Sequence, residues 1–226
     1  MNTTDVVTFY DNFLEHLKQD HYRDNQRLSR VKVKLGSIVK SGMTVLDLGC
    51  GTGLTSKFMA TLGARVTAVD ISPKLIEFAK ENSAHKNIEY VNADITELNL
   101  DRKFDGITLV DVFEHVHPDK DRNTGALHGI MKLIDVINRH ATDKAWVFIN
   151  IPDSRYQEVA HQLIPNRLQI IDKGYEITTL LNWFGAIQFE PVEIDIYGID
   201  VLYQYNSILF KRKSEIESTH CEFMKG

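Results

Sequence analysis

The sequence predicts an α/β protein with a doubly wound, mostly parallel sheet of seven strands, and two observations lead to this prediction. Short apolar segments typical of buried strands alternate with segments whose apolar residues recur every three or four positions, as in helices. Such alternation indicates a parallel sheet with right-handed crossovers. A chain of 226 residues with 43% apolar content suffices for one such core. We therefore expect residues 1–226 to form a single domain.

The region 1–40 is predicted to be helical. Apolar residues recur there at three- and four-residue intervals, first from Val6 to Leu17 and again from Leu28 to Val39. Ser41 and Gly42 then interrupt the pattern before the first strand. The first helix either packs on the core or covers the mouth of a ligand site as a lid, and the sequence leaves both arrangements open.

The segment from Val45 to Gly53 reads as a buried strand followed by a tight glycine turn. Glycines stand at alternate positions 49, 51 and 53, and the apolar residues from Leu54 to Leu62 then recur at the spacing of a helix. Glycine tolerates positive φ and has no Cβ, so a ligand can approach the backbone of such a turn. The helix that follows offers unpaired N–H groups to that ligand.

The glycine spacing distinguishes between two kinds of nucleotide ligand. Dinucleotide enzymes use Gly-x-Gly-x-x-Gly, whereas this turn has Gly-x-Gly-x-Gly and places Leu54 where their third glycine would stand. Asp47 precedes the first glycine by two residues. A carboxylate there suits a ligand with an ammonium group better than one with a diphosphate, because like charges repel. The spacing therefore argues against NAD.

The remaining elements of the core continue the alternation of strands and helices as far as residue 151. Ser72 and Pro73 form a typical helix start, with serine as N-cap and proline in the first turn. The apolar residues from Leu127 to Ile137 predict the last helix before the fifth strand. The second to fifth strands are predicted at Arg65–Asp70, Asn87–Val91, Phe104–Asp111 and Ala145–Ile151.

The pattern changes after the fifth strand. Residues 152–175 show no sustained period, and we interpret them as an insertion on the substrate side. Residues 176–213 then predict a helix that stops near Gly185 and two strands around Gly198, a hairpin that adds an antiparallel edge to the sheet. Residues 214–226 are polar and are expected to form a flexible tail.

Four motifs in this order resemble the class I S-adenosylmethionine-dependent methyltransferases, which have a Rossmann-like fold. The first motif is the strand and glycine turn at 45–53. The others are the segments 66–72, 92–95 and 104–116, the last of which includes the stretch Asp111-Val112-Phe113-Glu114-His115-Val116. The resemblance covers about residues 43–151. It implies S-adenosyl-L-methionine as cofactor and S-adenosyl-L-homocysteine as product.

The acidic residues of these motifs follow the predicted strands, where ligands of open α/β sheets bind. Asp70 could accept hydrogen bonds from both ribose hydroxyls, and Asp94 could accept from the adenine amino group, with the Ile95 N–H as a second partner. Asp111 would border the methionine half of the cofactor. Asp47 and the glycine turn would hold the amino acid end, and the resemblance implies the same roles. The residues expected to bind the cofactor are Asp47, Gly49, Gly51, Gly53, Asp70, Ile71, Asp94, Ile95 and Asp111.

Methyl transfer to an alcohol or amine also requires removal of a proton from the acceptor. A histidine is suited to this near neutrality. We predict His115 and His117 as the catalytic candidates, with Asp153 and His161 as further candidate bases. His115 could equally be a packing residue. We expect no metal, because the carboxylate and amide pair of the Mg²⁺-dependent enzymes is not recognisable after the fifth strand.

Three residues are predicted to contact the acceptor. Tyr197 and Tyr203 lie in the hairpin, where Tyr197 could oppose Tyr203 and Tyr205 across the turn, and Arg155 in the insertion would suit an anionic group. Aromatic packing at the sheet edge is the alternative for the tyrosines. These residues suggest a sugar-like or phosphorylated acceptor.

Composition narrows the class of partner. The net charge is −5, and the only basic cluster is the short run at 211–213, so we expect no nucleic acid. Two cysteines and the lack of a long apolar segment predict a cytoplasmic protein without membrane contact. The sequence thus predicts O-methylation of a small polar metabolite, by a monomer or homodimer. An N-methyltransferase acting on a small amine or protein side chain is the alternative.

Overall fold

The computed structural model describes residues 3–22, 26–116, 128–153, 176–198 and 204–213. Within these ranges, helices and strands follow one another in the order that the apolar periodicity predicts. The elements are α1 (Thr3–Tyr22), α2 (Gln26–Ile38), β1 (Thr44–Leu48), α3 (Leu54–Thr61), β2 (Arg65–Asp70), α4 (Pro73–Asn82), β3 (Ile88–Asn92), β4 (Phe104–Val110), a 3₁₀ turn (Phe113–His115), α5 (His128–His140), β5 (Ala141–Pro152), α6 (Ile177–Ala186), β6 (Phe189–Gly198) and β7 (Gln204–Arg212).

Seven strands of the described chain form one sheet in the order β3-β2-β1-β4-β5-β7-β6. The pairs β1–β2, β2–β3, β1–β4 and β4–β5 are parallel. The C-terminal strands differ, because β7 runs antiparallel to both β5 and β6. The predicted doubly wound, Rossmann-like sheet with an antiparallel hairpin is therefore confirmed.

The central strands are buried on both faces, which explains their nearly continuous apolar sequences. On one face, Leu46, Leu48 and Ile107 pack in a cluster with apolar residues of α5 and α6. On the other face, Val45 and Phe148 pack with residues of α2 and α3. Each central strand thus contributes alternate side chains to two cores, and the helices cover both faces of the sheet.

The two N-terminal helices have different roles in the packing. Helix α2 buries Val31 and Leu35 against the sheet, as its apolar spacing predicts. Helix α1 contacts α4, where the Lys18 ammonium lies 5.5 Å from the centre of the Phe78 ring.

The predicted start of α4 is confirmed, because Ser72 Oγ accepts a 3.1 Å hydrogen bond from the Leu75 N–H.

Several strand boundaries differ from the sequence prediction, and the structure shows the reason for the largest shift. Strand β5 begins at Ala141 rather than at residue 145, because Ala141 pairs with Phe104 before a register shift in the ladder. Helix α6 ends near Gly185 as predicted, but its last residue is Ala186, and Gly185 does not take the left-handed conformation. The positive φ that follows the helix, 65°, is taken by Gln188, whose N–H donates to the Gly185 carbonyl at 3.2 Å.

The insertion is predicted at 152–175, but Pro152 is the last residue of β5. Residues 154–175 and the predicted tail at 214–226 lie outside the described residues. No helix in the described ranges combines the length and the apolar character that crossing a membrane requires.

Candidate active site

The site forms where the strand order reverses direction. From β1 the chain moves outward to β2 and β3 on one side, and then returns to β4 and β5 on the other. In open α/β sheets this reversal leaves a crevice at the carboxyl ends of the strands, and ligands bind there. The glycine turn that follows β1 lies at this crevice, between the ends of β2 and β4.

The glycine turn is held against the end of β2 by backbone and carboxylate hydrogen bonds. The N–H groups of Gly49 and Cys50 both donate to the Val69 carbonyl, at 2.8 and 2.9 Å. The Gly51 N–H donates to Asp70 Oδ2 at 2.8 Å. These bonds fix the turn relative to the acid that ends the second strand.

The three glycines all have positive φ but face different surroundings. A Cβ at Gly49 would clash with a Val112 methyl, and one at Gly53 would lie 2.5 Å from the Tyr90 hydroxyl. A Cβ at Gly51 would meet no atom within 4 Å. Packing thus requires glycine at positions 49 and 53, whereas Gly51, with φ 52°, presents its backbone to open space. That open side can accept a ligand.

Asp47 lies beneath the turn. Its carboxylate is 2% exposed and accepts hydrogen bonds from Ser56 Oγ at 2.5 Å and Thr108 Oγ1 at 2.6 Å. Burial raises the pKa of Asp47 to about 6, although both hydroxyl hydrogen bonds act in the opposite direction. The carboxylate therefore ties β1 to α3 and β4. Its predicted contact with the amino acid end of the cofactor stays a prediction.

Asp70, at the end of β2, has both carboxylate oxygens bound to backbone. Oδ2 accepts from the Gly51 N–H, and Oδ1 accepts from the Ser72 N–H at 2.9 Å. Burial is the main effect on the pKa of Asp70 and raises it, against the lowering effect of these backbone donors. Each carboxylate oxygen can accept a second hydrogen bond. The geometry thus remains compatible with the predicted contacts to ribose hydroxyls, next to Ile71.

The third predicted acid forms a local turn. Asp94 Oδ1 accepts hydrogen bonds from the backbone N–H and the Oγ1 of Thr96, both at 2.8 Å. Ile95 is 9% exposed and packs in the core cluster with Leu98. The turn lies just beyond β3, on the same side of the crevice as Asp70. The predicted adenine contacts of Asp94 and Ile95 are not tested by this geometry.

Asp111, just beyond β4, has an ion-pair partner that sequence reasoning missed. Its φ is 54°, unusual for a residue other than glycine, and its carboxylate pairs with the Arg27 guanidinium of α2. Arg27 also lies over the Tyr205 ring, 5.6 Å from its centre. Arg27 and Asp111 are 84 positions apart in the chain, and no local motif marked the arginine as a site residue.

His115 lies in the 3₁₀ turn that follows β4, at the mouth of the crevice. Its ring meets the Tyr10 ring of α1 edge to face, with centroids 5.8 Å apart and planes at 75°. Helix α1 thus reaches one of the two predicted catalytic residues. The other predicted catalytic residue, His117, lies outside the described residues, as do Arg155, His161 and Tyr203.

Tyr197 is enclosed rather than open to the crevice. It is 5% exposed, and its hydroxyl accepts a 2.8 Å hydrogen bond from Asn150 Nδ2. Tyr205 stands opposite it in the ladder, with ring centroids 6.0 Å apart, so the predicted cross-strand pairing is confirmed for these two. The Arg30 guanidinium lies 4.9 Å from the Tyr197 ring centre. This enclosure favours a packing role over substrate contact.

Cys50 has none of the properties of a nucleophile. It is buried between two glycines of the turn, and burial, together with the nearby Asp70 and Asp47, raises the pKa of its thiol well above the usual value. The thiol is therefore protonated at neutral pH, and nucleophilic attack requires thiolate.

Comparison with known proteins identifies the family. A family model described as a methyltransferase domain matches residues 45–133. The ubiquinone biosynthesis O-methyltransferase of Glaesserella parasuis is 30% identical over 198 residues, which are 82% of this chain and 80% of that protein. This chain belongs to the class I S-adenosylmethionine-dependent methyltransferases. The predicted enzyme class and its cofactor are therefore confirmed.

This methyltransferase matches other relatives over different shares of their length. The ubiquinone biosynthesis O-methyltransferase of Pasteurella multocida is 29% identical, over 86% of this chain and 81% of that protein. The mitochondrial ubiquinone biosynthesis O-methyltransferase of Schizosaccharomyces pombe is 42% identical, but only over 36% of this chain and 31% of that protein.

Solved structures show the same fold at lower sequence identity. The magnesium protoporphyrin IX methyltransferase of Synechocystis PCC 6803 with bound S-adenosylhomocysteine is 19% identical and gives a TM-score of 0.72, over 94% of this chain and 100% of that chain. The N-methyltransferase NodS of Bradyrhizobium japonicum WM9, also with bound S-adenosylhomocysteine, is 15% identical. It gives a TM-score of 0.71, over 94% of this chain and 99% of that chain.

The residues of the methyltransferase crevice fit the cofactor. Gly51 leaves open space for it, and the first turn of α3 offers N–H groups without intrahelical partners. Asp70 retains hydrogen-bonding capacity for hydroxyl groups. Bound there, S-adenosylmethionine supplies an electrophilic methyl group on a sulfonium.

Proposed function

We propose that this methyltransferase methylates an oxygen of a small biosynthetic intermediate, and that the acceptor is a hydroxyl group on an aromatic ring. The observation that carries the proposal is the similarity, over four fifths of the relative's length, to an enzyme named ubiquinone biosynthesis O-methyltransferase. Ubiquinone carries methoxyl groups on its ring, so ring hydroxyls are the acceptors to test. Both bacterial relatives are named O-methyltransferases, which favours oxygen over nitrogen as the methyl acceptor.

The reaction is a direct displacement in which the acceptor oxygen bonds to the methyl carbon as the bond from carbon to sulfur breaks. The acceptor proton passes to a base, and the sulfur leaves as a neutral thioether. The main contribution of the protein is alignment of oxygen, carbon and sulfur. The glycine turn and Asp70 would hold the cofactor, and so would fix the positions of the methyl carbon and the sulfur relative to the acceptor oxygen.

We propose that two described residues act on the acceptor side. His115 lies just beyond β4, and we propose it as the base that takes the hydroxyl proton, since imidazole is suited to this near neutrality. Asp153, at the end of β5, is 3% exposed, and its Oδ2 accepts a 3.3 Å hydrogen bond from Asn206 Nδ2. We propose that Asp153 shapes the acceptor side of the crevice.

We further propose that α1, within the N-terminal helical region 1–40, covers the mouth of the crevice as a lid. Asp11 of α1 contacts Ser72 after β2, and Tyr10 of the same helix contacts His115 after β4. Helix α1 thus contacts the segments that follow β2 and β4, on both sides of the crevice. These contacts support a lid role for α1 rather than packing on the core alone.

The acceptor proposal is tested with methyl-labelled S-adenosylmethionine and paired acceptors of the same ring. We would compare 3,4-dihydroxybenzoate with 3,4-diaminobenzoate, after titrating the protein with S-adenosylhomocysteine to establish that the cofactor site is functional. Label in a methoxyl group, reduced at least tenfold by His115→Ala, is the expected result. Label only in the amine would overturn the oxygen assignment. Full activity of His115→Ala would remove histidine as the base.

A further inference from the structure

The back of the glycine turn contacts a pair of residues that no motif includes. Ser83 follows the last residue of α4 and is fully buried, and its Oγ donates a 2.8 Å hydrogen bond to the Thr52 carbonyl. Tyr90, in β3, donates from its hydroxyl to the Ser83 carbonyl at 3.0 Å. We name Ser83 and Tyr90 the loop bracket. It joins the turn to the end of α4 and to β3.

The turn needs such support because of its own composition. Thr52 is flanked by glycines, and both have positive φ, 52° and 78°. Glycine occupies positive and negative φ with similar ease, so the peptide groups on either side of Thr52 have little local preference for one orientation. Within the turn, the N–H of the Thr52–Gly53 peptide donates to the Cys50 carbonyl at 2.9 Å. The Ser83 hydroxyl binds the carbonyl of the same peptide from the α4 side, so the orientation is held at both polar groups of the peptide.

Tyr90 limits the position of the turn as well as its orientation. A Cβ at Gly53 would lie 2.5 Å from the Tyr90 hydroxyl and 3.0 Å from Ser83 Cβ. The bracket therefore sits directly behind the Cα of Gly53, which is the residue that precedes α3. Movement of Gly53 toward the bracket is therefore blocked, which limits the position of the residue from which α3 starts.

We propose that Ser83 and Tyr90 are positioning residues for cofactor binding, acting through the Thr52–Gly53 peptide without contacting the cofactor. This inference rests on the proposed function, because it assigns the glycine turn to S-adenosylmethionine. Loss of either hydroxyl leaves the fold intact and lets the turn sample orientations that do not bind. Affinity falls in proportion to the fraction of competent turns.

The experiment is calorimetric titration with S-adenosylhomocysteine of the wild type, Ser83→Ala, Tyr90→Phe and the double variant. Each single substitution is expected to raise Kd about fivefold, the effect of losing one typical hydrogen bond. The stoichiometry should remain unchanged. The double variant should bind only slightly more weakly than either single variant, because both hydroxyls stabilise the same peptide.

Thr44→Val is the matched control. It removes a hydroxyl that donates to Asp105 Oδ2 at 2.9 Å, at the opposite end of the strand that leads into the turn. This variant should unfold at a lower temperature with unchanged Kd. A purely structural role of the bracket would give the same result for Ser83→Ala and Tyr90→Phe, and would overturn the proposal. Losses that add fully in the double variant would also contradict it. If the wild type binds no S-adenosylhomocysteine, the proposed function fails, and the bracket fails with it.

Discussion

Asp11 of α1 accepts a 2.6 Å hydrogen bond from Ser72 Oγ, the same hydroxyl that caps the first turn of α4. Lys74 approaches the same carboxylate at 3.8 Å. This contact links the N-terminal helix to the residues that follow Asp70. Its strength therefore bears on whether α1 can act as a lid.

Removal of the Asp11 carboxylate should loosen α1. We expect Asp11→Ala to increase hydrogen exchange of the α1 amides roughly tenfold to a hundredfold, because a charge-assisted hydrogen bond contributes about 1.5–3 kcal/mol. Hydrogen exchange with mass spectrometry would measure it. Glu15→Ala is the control, since Glu15 of the same helix is exposed and pairs with Lys18 one turn away. Equal exchange in both variants would contradict a tether at Asp11.

The open side of Gly51 makes a prediction about alanine substitution. Gly51→Ala should raise the Kd for S-adenosylhomocysteine more than tenfold, because its methyl group enters the space assigned to the cofactor. Gly42→Ala is a close control: Gly42 also has positive φ, and a Cβ added there would also meet no atom within 4 Å. Both variants carry a backbone strain of about 1 kcal/mol. Calorimetry should show weaker binding of S-adenosylhomocysteine by Gly51→Ala only. A similar loss of affinity in Gly42→Ala would refute the assignment of the space beside Gly51 to the cofactor.

The raised pKa of Asp47 predicts how stability depends on pH. The folded state holds this proton up to about pH 6, whereas an unfolded aspartate loses it near pH 4. The unfolded state therefore binds fewer protons between these values, and this group lowers the free energy of unfolding as pH rises from about 4 to about 6. Asp47→Asn removes the effect, because its side chain does not titrate and its amide can still bond to the hydroxyl partners.

Urea unfolding at about pH 4 to 8 would measure the difference. Relative to the wild type, Asp47→Asn should gain roughly 3 kcal/mol between about pH 4 and 6 and then stay level. A constant difference between Asp47→Asn and wild type across this range would show that Asp47 titrates normally.

Gly106 makes a prediction about packing in β4. A Cβ at this position would overlap the ring of Trp146, its partner across the ladder to β5. Gly106→Ala should cost about 1–3 kcal/mol of stability, as overpacking does. Trp146→Leu in the same background should recover part of that loss. Gly36→Ala, where a Cβ would lie 3.8 Å from Phe58, should be neutral or stabilising. Additive effects of Gly106→Ala and Trp146→Leu would exclude the clash.

Much of the fold could be predicted because its signals are local. Ser72 and Pro73 start α4 as expected, and β6 ends at Gly198, the residue around which the two strands are predicted. Boundaries set by pairing could not be predicted in the same way. Strand β5 extends back to Ala141 because Phe104 of β4 offers a partner there, and this information lies in a distant part of the chain.

The sequence by itself determined the alternation of strands and helices, the glycine turn and the acids that end the strands. Each depends on neighbours within a few positions, so it is readable from the chain. Only the tertiary structure decided which glycine faces open space, that Asp47 is bound by two hydroxyls, and that Arg27 meets Asp111. These relations depend on contacts between residues far apart in sequence, and such contacts exist only after the sheet has assembled.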